Sequence, residues 1–134
     1  MSDELIRIGI RRGAQIAGGA CGFFGACGAA AGVGIALSLI LKANPLKATE
    51  RQVVQTVTLR VLERIAAFEA PRCCQRDCWL ALRTAAELSA QYLPSPLRAD
   101  TPLPCWQSDR NAECIAERCP LWPGQGDCRC LVVP

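Results

Sequence analysis

Histidine is absent from the 134 residues of this chain. The side chain that most often serves as a general base or a metal ligand near neutral pH is therefore missing. This absence excludes a Ser-His-Asp or Cys-His catalytic centre within the chain, and it excludes a zinc finger with mixed cysteine and histidine ligands. A bound metal would be held mainly by thiolate or carboxylate groups, and thiolates favour zinc, copper(I) or iron–sulfur clusters.

Several patterns that indicate other functions are also missing. The chain has no phosphate-binding loop, no dinucleotide fingerprint and no paired-carboxylate motif. Its net charge of +3 is small and spread along the chain, which argues against binding to nucleic acid. We find no convincing signal-peptide cleavage site, and the adjacent pair Cys73-Cys74 would be strained as a disulfide. We therefore predict a cytoplasmic protein in a reducing compartment.

Cysteine, by contrast, is abundant, with 10 residues in the chain. The cysteines form a pair in a glycine-rich loop, a group at a predicted helix start and a group in the tail: Cys21 and Cys27; Cys73, Cys74 and Cys78; Cys105, Cys114, Cys119, Cys128 and Cys130. The first two groups lie where helices begin, a position that stabilises thiolates and anionic centres. The spacing matches neither a C-x2-C zinc ribbon nor a C-x2-C-x2-C ferredoxin run.

The hydrophobic pattern predicts an all-α fold, a small bundle of about three helices. The apolar run 29–42 favours a first helix, buried on all sides, which Asn44 and Pro45 end. Thr49 is predicted to cap a second helix, whose apolar residues recur on one face. Asp77 is predicted to cap the third helix, which ends near Leu93.

We interpret the chain 1–134 as one domain with three parts. Residues 1–20 are a short amphipathic lead-in, residues 21–93 form the helical core, and residues 94–134 form an irregular tail rich in cysteine and proline. A short helix is predicted over 110–118, and the three tryptophans are expected to pack the tail onto the helices. The tail is expected either to wrap one end of the bundle, to be tied down by metal, or to be mobile.

A membrane-spanning segment is an alternative for part of the core. Residues 13–41 carry no charge, and an apolar stretch of that length is typical of a spanning helix. Eight of these residues are glycine, however, and a break in the helix would leave backbone groups unpaired in lipid. We therefore favour a cysteine loop that leads into a buried helix, and we expect its apolar surface to allow self-association.

Four segments of the sequence together resemble a known family. They are "GACGFFGACGAAAGVGIALSLI", "ANPL", "APRCCQRD" and "NAECIAERCPLWP", which span about residues 19–123. The family is an uncharacterised group of cysteine-rich prokaryotic domains that stand alone or are attached to methyltransferase-like or radical-SAM-like proteins. The resemblance implies metal or iron–sulfur binding and a redox or methyl-transfer enzyme as partner. The cysteines that match its pattern are Cys21, Cys27, Cys73, Cys74, Cys105, Cys114 and Cys119, whereas Cys78, Cys128 and Cys130 lie outside it.

These observations lead to one main hypothesis and three alternatives. The seven family-matching cysteines are predicted to ligate a metal, more readily an iron–sulfur cluster than zinc, for electron or sulfur transfer to a partner enzyme. Arg72, Arg76 and Asp77 flank the cysteine pair and are expected either to support the site or to serve only as a helix cap and solvated charges. The alternatives are a structural zinc adapter, a small membrane protein, and a thiol-disulfide redox protein that uses Cys27 with Cys73 or Cys74.

Overall fold

A computed structural model of the protein describes residues 2–101 and 103–123, and within them every regular element is helical. The elements are α1 (Asp3–Gly13), α2 (Ala20–Phe23), α3 (Gly28–Ile40), α4 (Ala48–Ala66) and α5 (Cys74–Tyr92), followed by a 3-10 turn at Ala116–Arg118. The all-α prediction is confirmed, and the three predicted helices correspond to α3, α4 and α5. Helix α1 lies in the predicted lead-in and contacts α3.

The core lies where α3, α4 and α5 meet. Helix α3 contacts α1, α4 and α5, and α4 contacts α5. Ala30, Val61 and Ala81 pack together there, and each of them is at most 3% exposed. The apolar face predicted for α4 is confirmed, since its buried residues are Val57 and Val61.

Helices α3 and α4 approach each other closely at Gly34. A Cβ atom added to Gly34 would stand within contact distance of the Thr58 side chain, with Oγ1 closest. The Thr58 hydroxyl donates a hydrogen bond of 2.8 Å to the Val54 carbonyl oxygen of its own helix, so it cannot turn away without loss of that bond. Only glycine fits at position 34, and α3 can therefore lie directly on α4.

The prediction that α3 is buried on all sides is wrong. Its buried residues are Ala30, Gly34 and Leu37, whereas Ala36 and Ile40 are exposed. The described residues cover α3 with three helices only, and this leaves an apolar cavity of about 460 Å³ between α3 and α5. With 13 residues α3 is also short, and no helix of the described chain is long and apolar enough to cross a membrane.

A compact turn joins α3 to α4. Lys42 takes a positive φ of 51°, and the following Ala43 donates its backbone N–H to the Ser38 carbonyl oxygen at 2.8 Å. This pattern closes the end of α3 in the manner of a Schellman motif. The side-chain oxygen of Asn44 then accepts the backbone N–H of Lys47 at 3.1 Å. The prediction that Thr49 caps α4 is wrong, because the helix begins at Ala48 and its cap residue is Lys47.

Helix α5 begins earlier than predicted. Its cap residue is Cys73, in an extended conformation with φ −139° and ψ 97°, and the helix starts at Cys74. Asp77 is therefore not the cap but a buried residue of the first turn. A carboxylate in the first turn interacts favourably with the positive end of the helix, so aspartate suits the first turn as well as the cap position.

The described part of the predicted tail packs against α5. The backbone N–H of Leu97 donates to Ser89 Oγ at 2.7 Å, and Leu121 is 2% exposed in a cluster with Trp79 and Leu80. Only Ala116–Arg118 of the predicted 110–118 helix is helical, and that as a 3-10 turn. Trp106 is 72% exposed, so it does not pack the tail onto the helices as expected.

Candidate metal centre

Two tight turns bring the first cysteine pair to the start of α3. Gly19 and Gly25 have positive φ values of 82° and 67°, a region that glycine adopts readily. They enclose the short helix α2, which carries Cys21, and Cys27 is the residue that precedes α3. The glycine density that argued against a long spanning helix therefore serves to reverse the chain around Cys21 and Cys27.

One pocket collects four of the cysteines. It has a volume of about 320 Å³, and the thiol-bearing residues that line it are Cys21, Cys27, Cys74 and Cys78. Cys27 precedes α3, and Cys74 is the first residue of α5, so the positive ends of two helices meet at this pocket. Such an environment favours anionic centres, including thiolates.

Charged side chains border the same pocket. Arg72 and Asp77 line it, and the Cys27 thiol points its Sγ at Asp77 Oδ2 across 4.0 Å. Arg76 is 4% exposed and donates from Nε to Asp77 Oδ1 at 3.3 Å. Burial raises the pKa of Asp77, and the charge and hydrogen bond of Arg76 act in the opposite direction. Asp77 is thus a buried carboxyl group that can take up a proton beside a thiol.

The buried Arg76 is held from two further directions. Its Nη2 donates to the Pro71 carbonyl oxygen at 3.2 Å, and its guanidinium lies 5.7 Å from the centre of the Phe68 ring. Arg76 and Asp77 therefore form a buried ion pair beside the cysteine pocket, and neither of them is a solvated charge. Arg72 also lines the pocket, but it is exposed to solvent.

Cys78 is the pocket cysteine that lies outside the family motifs. It lies on α5 and lines the pocket together with Cys74. Partial burial raises the pKa of the Cys78 thiol, and the negative charges of Cys74, Cys27 and Asp77 add to the effect. The sequence already indicated this position, because Cys78 is four residues from Cys74 and residues four apart on a helix lie on the same face.

A second group of thiols lies on the other side of the α5 start. Cys73 does not line the pocket, and its Sγ instead accepts a contact of 3.9 Å from Gln107 Nε2. Cys105 and the buried Cys119 pack in the cluster that contains Trp79. The seven cysteines predicted as one ligand set are therefore divided, with Cys21, Cys27 and Cys74 in the pocket and Cys73, Cys105 and Cys119 in the second group.

The remaining cysteines stand apart from both groups or beyond the described residues. Cys114 is half-buried, and its Sγ accepts the backbone N–H of Ala116 at 3.4 Å. Cys128 and Cys130 lie outside the described residues. In the part of the chain that the structure describes, no three cysteine or carboxylate side chains already form a group that could hold an ion. Metal binding to either thiol group would therefore need side-chain rotation.

The cysteine pocket borders the apolar cavity between α3 and α5. Gly28, Ala29 and Cys78 line both spaces. Cys78 therefore separates a carbon-lined cavity from a pocket rich in sulfur. Apolar surroundings on one side lower the local dielectric and strengthen the electrostatic interactions of the pocket thiols.

The fold and the site define a small all-helical protein with two groups of thiols at the start of one helix. Residues 1–122 match a family described as a family of unknown function (DUF5714), and the chain belongs to that family. This confirms the predicted membership of an uncharacterised family. No curated protein and no solved structure matches the chain.

Proposed function

We propose that the protein binds an iron–sulfur cluster in the pocket of Cys21, Cys27, Cys74 and Cys78, and that it serves electron or sulfur transfer for a partner enzyme. The observation that carries this proposal is the meeting of four thiols around one pocket of about 320 Å³. Four cysteine thiolates are the common ligand set of both the [2Fe–2S] and the [4Fe–4S] cluster. The proposal keeps three of the seven predicted ligands and adds Cys78.

The helix starts at the pocket suit an anionic cluster. Backbone N–H groups at the first turn of a helix have no acceptor within that helix, and hydrogen bonds to cluster sulfurs adjust the reduction potential. The first turns of α3 and α5 both lie at the pocket wall, through Gly28, Ala29 and Cys74. When bound, a cluster would supply one-electron redox chemistry at this wall.

A structural zinc adapter is the alternative to a cluster. Four cysteine thiolates at about 2.3 Å are also a common ligand set of structural zinc. The pocket of about 320 Å³ has room for either group. Metal analysis separates the adapter from the main proposal.

Proton transfer at the pocket is assigned to Asp77. A thiol must lose its proton before it can ligate a metal. Asp77 Oδ2 faces Cys27 Sγ across 4.0 Å, and burial raises the pKa of this carboxyl group. Asp77 can therefore accept the Cys27 proton. The negative charge then lies on the Cys27 sulfur, and Arg76 supplies a positive charge beside Asp77.

The site and the resemblance support a partner enzyme and a reducing compartment. Cys21 and Cys74 are exposed at the pocket, so electrons or sulfur can pass to a docked protein. We assign that role to a redox or methyl-transfer enzyme in the reducing cytoplasm, where thiols stay reduced. A homo-oligomer is compatible with the exposed apolar side of α3.

The test is anaerobic purification followed by reconstitution with iron and sulfide. The wild-type protein is expected to hold iron and sulfide in equal amounts and to absorb visible light, while Cys27→Ser and Cys78→Ser lose most of both. Cys73→Ser is the matched control, because Cys73 is adjacent to Cys74 but does not line the pocket. Stoichiometric zinc in place of iron would support the adapter, and a protein that stays metal-free would refute both.

A thiol-disulfide protein is the second candidate, since Cys27, Cys74 and Cys78 line one pocket. An attacking cysteine and its resolving partner must come within reach of each other, and a shared pocket supports such a pair. The reversible loss of two thiols in metal-free protein under mild oxidation would favour it. Cys73→Ser should then leave the loss unchanged, whereas Cys74→Ser or Cys78→Ser should abolish it.

A further inference from the structure

The proposed function makes no use of the apolar cavity between α3 and α5. The volume of this cavity is about 460 Å³, and pockets that hold small organic ligands in proteins usually measure about 300–1,000 Å³. We infer that the cavity binds an uncharged ligand with an extended hydrocarbon body. Such a ligand site goes beyond the thiol pocket and does not require a bound cluster.

The cavity exists because both helices carry small residues where they border it. On α3, Gly28, Gly32 and Ala36 recur at intervals of four residues, which places them on one face of the helix. Ala81 and Ala85 line the cavity from α5. Protein cores normally leave few voids larger than a water molecule, and larger side chains at these positions would fill the space.

The cavity extends from the packed core to the surface. Val57 and Ala81 line its inner side, and they are 1% and 3% exposed. Leu82 and Leu97 also line it, and they are 57% and 51% exposed. A ligand can therefore enter past exposed leucine side chains and reach the buried side chains of the core, where it is removed from water.

Water is a poor occupant of this space. Among the described residues that line it, the polar side chains are those of Cys78, Ser89 and Tyr92. The Ser89 hydroxyl already donates to the Ala86 carbonyl oxygen at 2.6 Å and accepts the backbone N–H of Leu97 at 2.7 Å. An ordered water needs about two to four polar partners, and apolar cavities stay dry. The occupant should therefore present hydrocarbon over most of its surface.

The positions of the polar side chains indicate an extended ligand. Cys78 and Ser89 are 11 residues apart on α5, which corresponds to about 16 Å along the helix axis. The α5 residues that line the cavity between them are alanine and leucine. No aspartate, glutamate, lysine or arginine of the described chain lines the cavity, and burial of an unpaired charge is costly. The cavity therefore suits an uncharged chain with a polar group at one end.

The experiment measures the binding of Nile Red, an uncharged dye whose fluorescence rises in apolar surroundings. Metal-free, reduced, full-length wild-type protein should bind the dye, and 1-decanol should displace it. Gly32→Leu and Ala85→Leu place larger side chains in the cavity, so they should weaken the binding of both compounds at least about tenfold.

The variants are chosen so that the fold is kept. In the described part of the chain, a Cβ atom at Gly32 meets nothing within 4 Å apart from the adjacent residues and the backbone of its own helix. Ala90→Leu is the matched control, because Ala90 is exposed on α5 and does not line the cavity. It should leave the binding of 1-decanol unchanged. Circular dichroism and chemical denaturation check that each variant is folded.

Three results would overturn the inference. The first is a wild-type protein that does not bind the dye, and the second is equal binding of 1-decanol by the wild type, Gly32→Leu and Ala85→Leu. The third is a wild-type dimer that Gly32→Leu converts to a monomer in sedimentation, because a second copy would then cover the cavity.

Vesicles of phosphatidylcholine distinguish two sources of the hydrocarbon chain. Wild-type protein that sediments with the vesicles, together with Gly32→Leu that does not, supports the cavity with a lipid chain as its ligand. Binding of 1-decanol without sedimentation supports the cavity with a free ligand.

The thiol pocket is tested independently, because Gly32 and Ala85 do not line it and both variants should still assemble the cluster. Failed reconstitution with intact binding of 1-decanol refutes the proposed function alone. A reconstituted cluster without binding of 1-decanol refutes this ligand site alone.

Discussion

The middle of the bundle and the start of α5 bury opposite kinds of side chain. In the middle, Val57 and Val61 are at most 1% exposed and contact apolar neighbours. At the start of α5, Arg76 and Asp77 are 4% and 6% exposed although both can carry charge. Burial of apolar surface favours folding, whereas burial of charge opposes it unless the charges are well paired. The middle of the bundle therefore stabilises the fold, while the start of α5 holds ionisable groups beside the thiols.

The largest effect is expected when the buried pair is broken. Among the described residues, Asp77 forms an ion pair with Arg76 only, so Arg76→Met leaves the buried carboxylate without an opposite charge. Such a change typically lowers the free energy of unfolding by about 3–5 kcal/mol. Chemical denaturation of the metal-free, reduced protein measures the loss. Arg76→Met with Asp77→Asn should recover more than half of it, because no buried charge remains. Arg72→Met, at an exposed arginine, is the control and should change the free energy of unfolding by less than about 0.5 kcal/mol.

The same variant has a pH signature. Burial raises the pKa of Asp77 and Arg76 lowers it, so removal of Arg76 should raise the folded-state pKa further. A raised pKa gives stability that is present below the unfolded-state pKa and is lost as the pH rises through the folded-state pKa. The loss of unfolding free energy caused by Arg76→Met should therefore be smallest in acid and grow toward neutral pH. A loss that does not change with pH would show that Asp77 is not the group left without a partner.

A smaller side chain in the core tests how far the middle of the bundle stabilises the fold. Val61 is 0% exposed, and Val61→Ala removes two methyl groups from the contact with Ala30 and Ala81. The free energy of unfolding should fall by about 2–3 kcal/mol, through lost transfer energy and an added cavity. Leu59→Ala on the same helix is the control, since Leu59 is 59% exposed. If both variants lose the same stability, the middle of the bundle is not the stabilising region.

The fold followed from the sequence where a local pattern was sufficient. The recurring apolar positions of α4 predicted the buried face at Val57 and Val61, and Asn44-Pro45 marked the end of α3. The local pattern failed where distant contacts decide. Asp77 fits a cap and a first-turn position equally well, and only its burial beside Arg76 distinguishes them. All-round burial of α3 was wrong because an apolar composition does not tell how many helices are available to cover it.

The sequence indicated most of the cysteines in the two thiol groups, but it did not indicate how they are divided. Seven cysteines were selected by motif, yet Cys73 and Cys74 belong to different groups because the backbone changes from extended to helical between them. Where Cys105 and Cys119 lie depends on the path of residues 103–123, which has little regular structure to predict. Cys78 could have been assigned to the pocket, since it is one helical turn from Cys74.

A smaller effect is expected at the contact of α3 with α4. Gly34→Ala places a Cβ against Thr58, and overpacking of this kind costs about 1–3 kcal/mol, partly offset by the gain of about 1 kcal/mol from replacing glycine in a helix. We expect a net loss of up to about 2 kcal/mol in the free energy of unfolding, measured by thermal or chemical denaturation. Thr58→Ala in the Gly34→Ala background should remove the clash and restore stability.

Gly32→Ala is the matched control on the same helix. Within residues 2–101 and 103–123, nothing beyond the local helix backbone and the adjacent residues lies within 4 Å of a Cβ placed at Gly32, so this variant should gain up to about 1 kcal/mol. Equal effects at Gly32 and Gly34 would show that α3 and α4 are not in close contact, and the packed middle would then be looser than its burial suggests.

The smallest effect is expected from a polar group in the middle of the bundle. Thr84 is 1% exposed, but its hydroxyl donates to the Leu80 carbonyl oxygen of its own helix at 2.8 Å. The Thr84 hydroxyl also accepts a hydrogen bond of 3.3 Å from Arg64 Nη1. Thr84→Val keeps the shape and leaves no buried group unpaired, because the Leu80 carbonyl retains its helical bond and Arg64 retains its ion pair with Glu87 at 2.6 Å. A loss of no more than about 1 kcal/mol is expected in denaturation. A loss near that of Arg76→Met would mean that polar contacts stabilise the middle as much as the start of α5, and the contrast between the two regions would disappear.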